Sequence, residues 1–181
     1  MAQVLHWATA ILVLLAFVYG PGGNEERVYS SARDFDRQLH ETLGASVFVL
    51  TLARVLWRMV ETPPPLSEGP RWMRLAARIL EATLYLLLFA VPLTAIAGAW
   101  LEGHPLTFLA GLEIASPIAP SHDTGESIAR LHTWLGDTLL WLAGLHALAA
   151  IVHHVVLKDS VLLSMLPRRV RPGPRLEERA R

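Results

Sequence analysis

Eight histidines and no cysteine set the chemistry open to this 181-residue chain. Without thiolates there are no disulfides, no cysteine-held iron–sulfur clusters and no covalent haem attachment. Any redox cofactor must therefore be held by nitrogen. The best-placed histidines are His132 and His146, both in the apolar run from Arg130 to Leu157. On a helix their fourteen-residue spacing is about four turns, roughly 21 Å, on nearly the same face. A bilayer core is about 30 Å thick, so such a helix would hold one imidazole toward each side. Inward-facing imidazoles in a membrane span are costly and mark function by default. This spacing asks for two ligand sites, one above the other.

The rest of the chain must supply the partners. Hydrophobic residues make up 52% of it, above the usual range for a soluble domain. Its length fits one domain, and a formal net charge of zero removes any bulk electrostatic case for nucleic acid. The first apolar run, Val4 to Tyr19, stops at Gly20-Pro21-Gly22-Gly23; it lacks a basic start and an Ala-x-Ala cleavage site, so it reads as a membrane helix. The second begins at His40 and ends before Thr62-Pro63-Pro64-Pro65, an extended connector. A third, from Trp72 to Leu101, contains Pro92, a kink that membrane helices tolerate.

The expected architecture is all-α: an integral membrane four-helix bundle with helices at about 4–20, 39–60, 72–101 and 129–157. Residues 24–38 and 102–127 are expected to be loops, with a short interfacial helix at Leu106 to Leu112. After Lys158-Asp159 comes a short amphipathic piece to Leu166. The transmembrane domain would cover residues 1–169, and the basic segment 170–181 reads as a disordered tail.

Charge sets the orientation. Twelve of the sixteen Lys and Arg residues fall in the connector region or the tail, which makes both termini cytoplasmic. Trp7, Trp57, Trp72, Trp100 and Trp134 fall near the expected helix ends, as an aromatic belt should. Depth then pairs the histidines. His40 and His132 lie toward the outer side, His6 and His146 toward the cytoplasm. Each pair could supply the two axial nitrogens of a six-coordinate haem. His40 and His132 also sit in matching segments, His40-Glu-Thr-Leu-Gly44 and His132-Thr-Trp-Leu-Gly136, whose glycines leave room for a flat macrocycle one turn deeper. Arg54 and Arg58 fall near the His40 face at cytoplasmic depth, where they could meet haem propionates or serve only as positive-inside residues.

Other residues carry two readings. His153 and His154 are interfacial residues or contacts to a propionate or quinone. Glu81 is the partner of Arg78 in an i, i+3 ion pair or a proton-handling group near a quinone. His104 and His122 read as solvated loop residues. Arg27, Arg33, Arg37 and Arg130 could draw a small anion, against the opposing Glu25, Glu26, Asp34 and Asp36.

Taken together these residues resemble the bacterial cytochrome b561 family. The resemblance is carried by His6-Trp7, His40 with Gly44, Arg54 to Arg58 before Thr62-Pro63-Pro64, and Tyr85-Leu-Leu-Leu-Phe89-Ala-Val-Pro92. It continues through His132, His146, His153-His154, Lys158-Asp159 and Met165-Leu-Pro167, covering about residues 4–169. It implies two b haems per chain held by His6, His40, His132 and His146. It also implies a bacterial inner-membrane location and electron exchange with ubiquinone; some members oxidise superoxide. The chain departs from the family at Ala77 and Glu81, where many members carry further histidines. The expected function is transmembrane electron transfer. Two alternatives are a haem-bearing anchor subunit for a separate dehydrogenase and a His-lined divalent-metal carrier, the latter lacking the repeats and mid-membrane acidic ligands usual in carriers.

Overall fold

A computed structural model describes residues 1–22, 25–60, 70–109, 111–159 and 161–166. Its elements are α1 (Ala2–Val18), α2 (Glu25–Val28), a 3-10 turn (Ser31–Arg33), α3 (Asp34–Val60) and α4 (Arg71–Glu102). A hairpin of β1 (Leu106–Thr107) and β2 (Glu113–Ile114) follows, then α5 (His122–Val155) and α6 (Val161–Met165). The expected tail and most of the proline-rich connector lie outside the described residues.

The fold is an all-α bundle. Three helices, Ser31–Val60, Arg71–Glu102 and His122–Val155, are long and apolar enough to cross a membrane, and Ala2–Val18 is a shorter apolar helix. At 1.5 Å per residue the 17 residues of α1 reach roughly 26 Å, whereas the 34 of α5 reach roughly 51 Å and overrun a bilayer core. The surplus lengths of α4 and α5 carry their ends past the apolar zone. Ile11, Val49, Leu86, Trp141 and Leu148 stay exposed around the bundle, the pattern of a surface meant for lipid rather than water.

Packing follows from where the small residues lie. The closest approach is between α4 and α5. A Cβ on Gly125 would fall 2.7 Å from the Glu102 amide nitrogen, and one on Gly98 would fall 3.3 Å from that of Ala129. Only residues this small let two backbones meet. The core is one cluster of Val47, Leu87, Leu88 and Leu139, with Leu12, Val13, Leu84, Val91, Leu135 and Leu142 around it. All four long helices contribute, and the histidine pairs lie at either end. Pro92 is buried inside α4. The Thr94 hydroxyl donates back to the Ala90 and Val91 carbonyls at 2.8 and 2.9 Å, so its polar group is satisfied within the helix.

Two expectations about the connections are overturned. Leu106 to Leu112 is not an interfacial helix: Leu106 pairs with Ile114 and Thr107 with Glu113 in an antiparallel ladder, and Gly111 turns the chain at φ 74°. Residues 24–38 are not a plain loop either, since α2, the 3-10 turn and the first turn of α3 occupy most of them. Asp34 and Asp36 in that first turn favour the amino end of the helix dipole. Likewise α5 starts at His122, seven residues before the apolar run suggests, because its first two turns are polar.

Candidate functional site

One histidine pair, His40 with His132, is built from α3 and α5. The His40 and His132 rings lie 5.9 Å apart, centre to centre, at 86°. His40 Nδ1 donates to the Ala16 carbonyl at 2.7 Å, and His132 Nδ1 donates to the Val91 carbonyl at 2.9 Å. Ala16 lies in the last turn of α1, where carbonyls have no partner four residues ahead, so a side-chain donor is welcome. A carbonyl can only accept, so each Nδ1 must carry the proton. Each Nε2 lone pair is then exposed as a ligand, with its ring aimed by the second hydrogen bond.

The second pair, His6 with His146, is built from α1 and α5 at the other end of the bundle. The His6 and His146 rings lie 6.3 Å apart at 74°. Here the polarity is reversed: Arg54 Nη1 donates to His6 Nδ1 at 3.1 Å, and a guanidinium can only donate. Neutral His6 therefore carries its proton on Nε2. To offer Nε2 to a metal it must move that proton to Nδ1 and release Arg54.

Both separations fit an ion between two imidazoles. Two metal–nitrogen bonds of about 2 Å, plus the distance from each nitrogen to its ring centre, put the rings roughly 6 Å apart. Room beside the His40–His132 pair is also available. A Cβ built on Gly44 or on Gly136 meets nothing within 4 Å. The donor set and the open space suit a bis-imidazole haem.

Beside the His6–His146 pair the Arg54 and Arg58 guanidinium groups lie 5.3 and 6.0 Å from the Tyr85 ring centre. Arg58 also forms an ion pair with Glu81. Glu81 thus bridges from α4 to α3 instead of pairing with Arg78 on its own helix. Arg58, Glu81 and Tyr85, with Val55, Met59, Arg78 and Ala82, line a groove of about 540 Å³ that opens at the bundle surface. His153 Nδ1 meets the Asp159 carboxylate, whose other oxygen accepts from the Val161 amide at 3.0 Å. That hydrogen bond from His153 holds the Asp159 carboxyl below the usual carboxylate range. His154 lies close enough to add to the same effect. The turn folds α6 back beneath α1, where Trp7 Nε1 donates to the Met165 carbonyl at 2.9 Å and Gln3 Nε2 to that of Ser164 at 2.7 Å.

The cap at the His40–His132 end of the bundle holds what sequence reasoning missed. Arg37 contacts Asp34 at 2.8 Å and Glu41 at 3.3 Å, and both Arg37 and Glu41 reach Thr107 on the hairpin. Arg33 pairs with Asp36 at 2.8 Å and Arg130 with Glu126 at 3.3 Å. Arg33, Arg37 and Arg130, expected to draw an anion, thus have carboxylate partners. His104 is not a free loop residue: its ring stacks on Tyr29 at 3.4 Å and its Nε2 meets Glu25 at 2.7 Å. His122, the first residue of α5, lies 3.4 Å from the other Glu25 oxygen. Burial, then the nearby Glu102 and Glu41 charges, push the Tyr29 phenol well up, so it stays neutral. No sequence signal short of co-variation joins residues 25 and 104.

A model of the prokaryotic cytochrome b561 family matches residues 1–168. The chain is 30% identical over 166 residues to cytochrome b561 homolog 2 of Escherichia coli (strain K12), covering 91% of this chain and 88% of that protein. It is 30% identical over 168 residues to a probable superoxide oxidase, CybB, of Yersinia pestis, at 91% and 93% coverage. Against cytochrome b562 of Cereibacter sphaeroides it is 32% identical over 168 residues, covering 90% of each.

Proposed function

Since the chain belongs to the prokaryotic cytochrome b561 family, a family of haem b electron-transfer cytochromes of the membrane, we propose that it carries electrons across the bilayer between two haem b sites. His40 and His132 would hold one haem toward the outer side, His6 and His146 the other toward the cytoplasm. Bound haem supplies reversible one-electron chemistry at iron, and the protein sets its position and potential. The observation that carries the reading is two imidazole pairs, 5.9 and 6.3 Å apart, at opposite ends of one bundle.

The chain's own residues prepare the sites differently. Ala16 and Val91 lock the outer imidazoles in the ligating tautomer, so that site needs no proton shift. At the inner site Arg54 gives up His6 and becomes free to neutralise an anionic propionate. Gly44 and Gly136 leave flat space where any larger residue would intrude. Exchange with the quinone pool would occur at the groove beside Arg58, Glu81 and Tyr85, with His153 and His154 on the same cytoplasmic side. The name of the Yersinia relative motivates superoxide as donor. Two superoxide ions each lose one electron and leave as dioxygen; the two electrons and two protons convert a quinone to a quinol. The lysine and arginine distribution supports an inner-membrane location with both termini cytoplasmic.

The test is a pyridine haemochrome count on purified protein, followed by rapid mixing with superoxide and with a ubiquinone analogue. Two haems per chain, with quinone-dependent superoxide consumption, are expected. One haem or none overturns the two-site reading, and two haems without superoxide turnover overturn the choice of donor.

A further inference from the structure

The cap at the His40–His132 end gathers a second set of ligating side chains that electron transfer does not use. Glu25, from α2, Glu102, the last residue of α4, and His104, just beyond it, place ligand atoms within 4.8 Å of one another. His122, opening α5, brings a second imidazole to the edge of this set, 3.4 Å from the other Glu25 oxygen and outside the 4.8 Å group. We propose that Glu25, Glu102, His104 and His122 form a binding site for one divalent transition-metal ion of the zinc class.

The donor set selects the metal. Two imidazoles and two carboxylates suit four-coordinate zinc, whereas calcium and magnesium prefer all-oxygen shells. Tetrahedral bonds of about 2 Å put neighbouring ligand atoms roughly 3.3 Å apart. The Glu25 carboxylate meets His104 Nε2 through one oxygen at 2.7 Å and His122 Nε2 through the other at 3.4 Å, both near that value. Two carboxylates cancel the charge of a divalent ion. The amino end of α5 opposes a cation, but Asp123 in its first turn offsets this.

The ligands are also held. His104 is stacked on Tyr29, and the Tyr29 ring carries Arg37 on it at 5.3 Å. Glu102 is fixed by Gly125, where an added Cβ would fall 2.8 Å from Glu102 Cγ. Both histidines point Nε2 at the same carboxylate, which is the geometry of a shared ion as much as of a shared proton. A bound ion would clasp α2, the end of α4 and the start of α5, bracing the helix that carries His132. The proposal does not depend on the haem sites.

The test uses the full chain without a polyhistidine tag, purified in mild detergent, stripped with EDTA and titrated with zinc ion alone. One zinc per chain at micromolar affinity or tighter is expected, with a rise in thermal midpoint that EDTA reverses. His104→Ala and Glu102→Gln should each weaken binding at least about tenfold, while Glu126→Gln on the exposed start of α5 should not. Zinc-edge X-ray absorption of the wild type should show two imidazoles with oxygen ligands, a readout that needs no variant to fold. Absence of binding, equal affinity in His104→Ala and Glu102→Gln, or a shell without imidazole would overturn the proposal.

Discussion

Gly44→Ala and Gly136→Ala should change sign depending on whether haem is bound. In the structure an added Cβ at either position meets nothing within 4 Å. Each lies well inside a helix, so alanine should stabilise the haem-free protein by about 1 kcal/mol, the helix-propensity difference between the two residues. If the macrocycle lies against these positions, the same methyl group must overpack the loaded site at about 1–3 kcal/mol. Haem would then be held about 5- to 150-fold more weakly, at 1.4 kcal/mol per tenfold. Transfer of haem to a scavenging apoprotein measures the loss, and thermal melts of haem-free protein measure the gain. Variants that keep haem as the wild type does would refute the idea that this open space is the macrocycle's seat.

Replacing single histidines by alanine should empty sites in pairs. His40→Ala and His132→Ala should remove the same haem signal, and His6→Ala and His146→Ala the other; loss of the outer signal in His6→Ala would overturn the assignment of depth. Gly125→Ala drives a methyl group against backbone at 2.7 and 2.9 Å and should cost about 1–3 kcal/mol, read as a lowered thermal midpoint. Glu81→Gln breaks a half-exposed ion pair and should alter stability by less than about 1 kcal/mol. If quinone uses that groove, its KM should nonetheless move several-fold. The Asp159 carboxyl is lowered in the fold, so its stabilisation of the α5–α6 turn is present above the ordinary carboxylate range and lost as pH falls through the lowered value. The protection factor of the Val161 amide, taken against the intrinsic exchange rate at each pH, should fall in acid, and Asp159→Asn should show the low protection already at neutral pH.

The long helices were legible because their apolar runs are punctuated by glycine and proline, and because helix direction alone sets which histidines share a depth. His40 and His132 can be matched from sequence for that reason, as can His6 and His146. What escaped reading depends on contacts between distant segments. Two-residue strands such as Leu106–Thr107 are too short to show alternation. Glu81 faces two arginines, and the nearer in sequence, Arg78, is not the one it meets. His104 lies 79 residues from Glu25, and no local pattern announces the contact. Polar first turns hid the start of α5, since apolar periodicity begins only where the lipid does.

Each imidazole pair joins an early helix to α5, α1 through His146 and α3 through His132. Neither pair can close until the final long helix has entered the membrane, so no half-synthesised chain offers a finished seat to iron. If the two pairs hold haem as proposed, cofactor insertion would wait for α5, and a chain truncated before α5 would display His6 and His40 with nothing opposite. Filling of both sites would then be tied to a single late event in biogenesis.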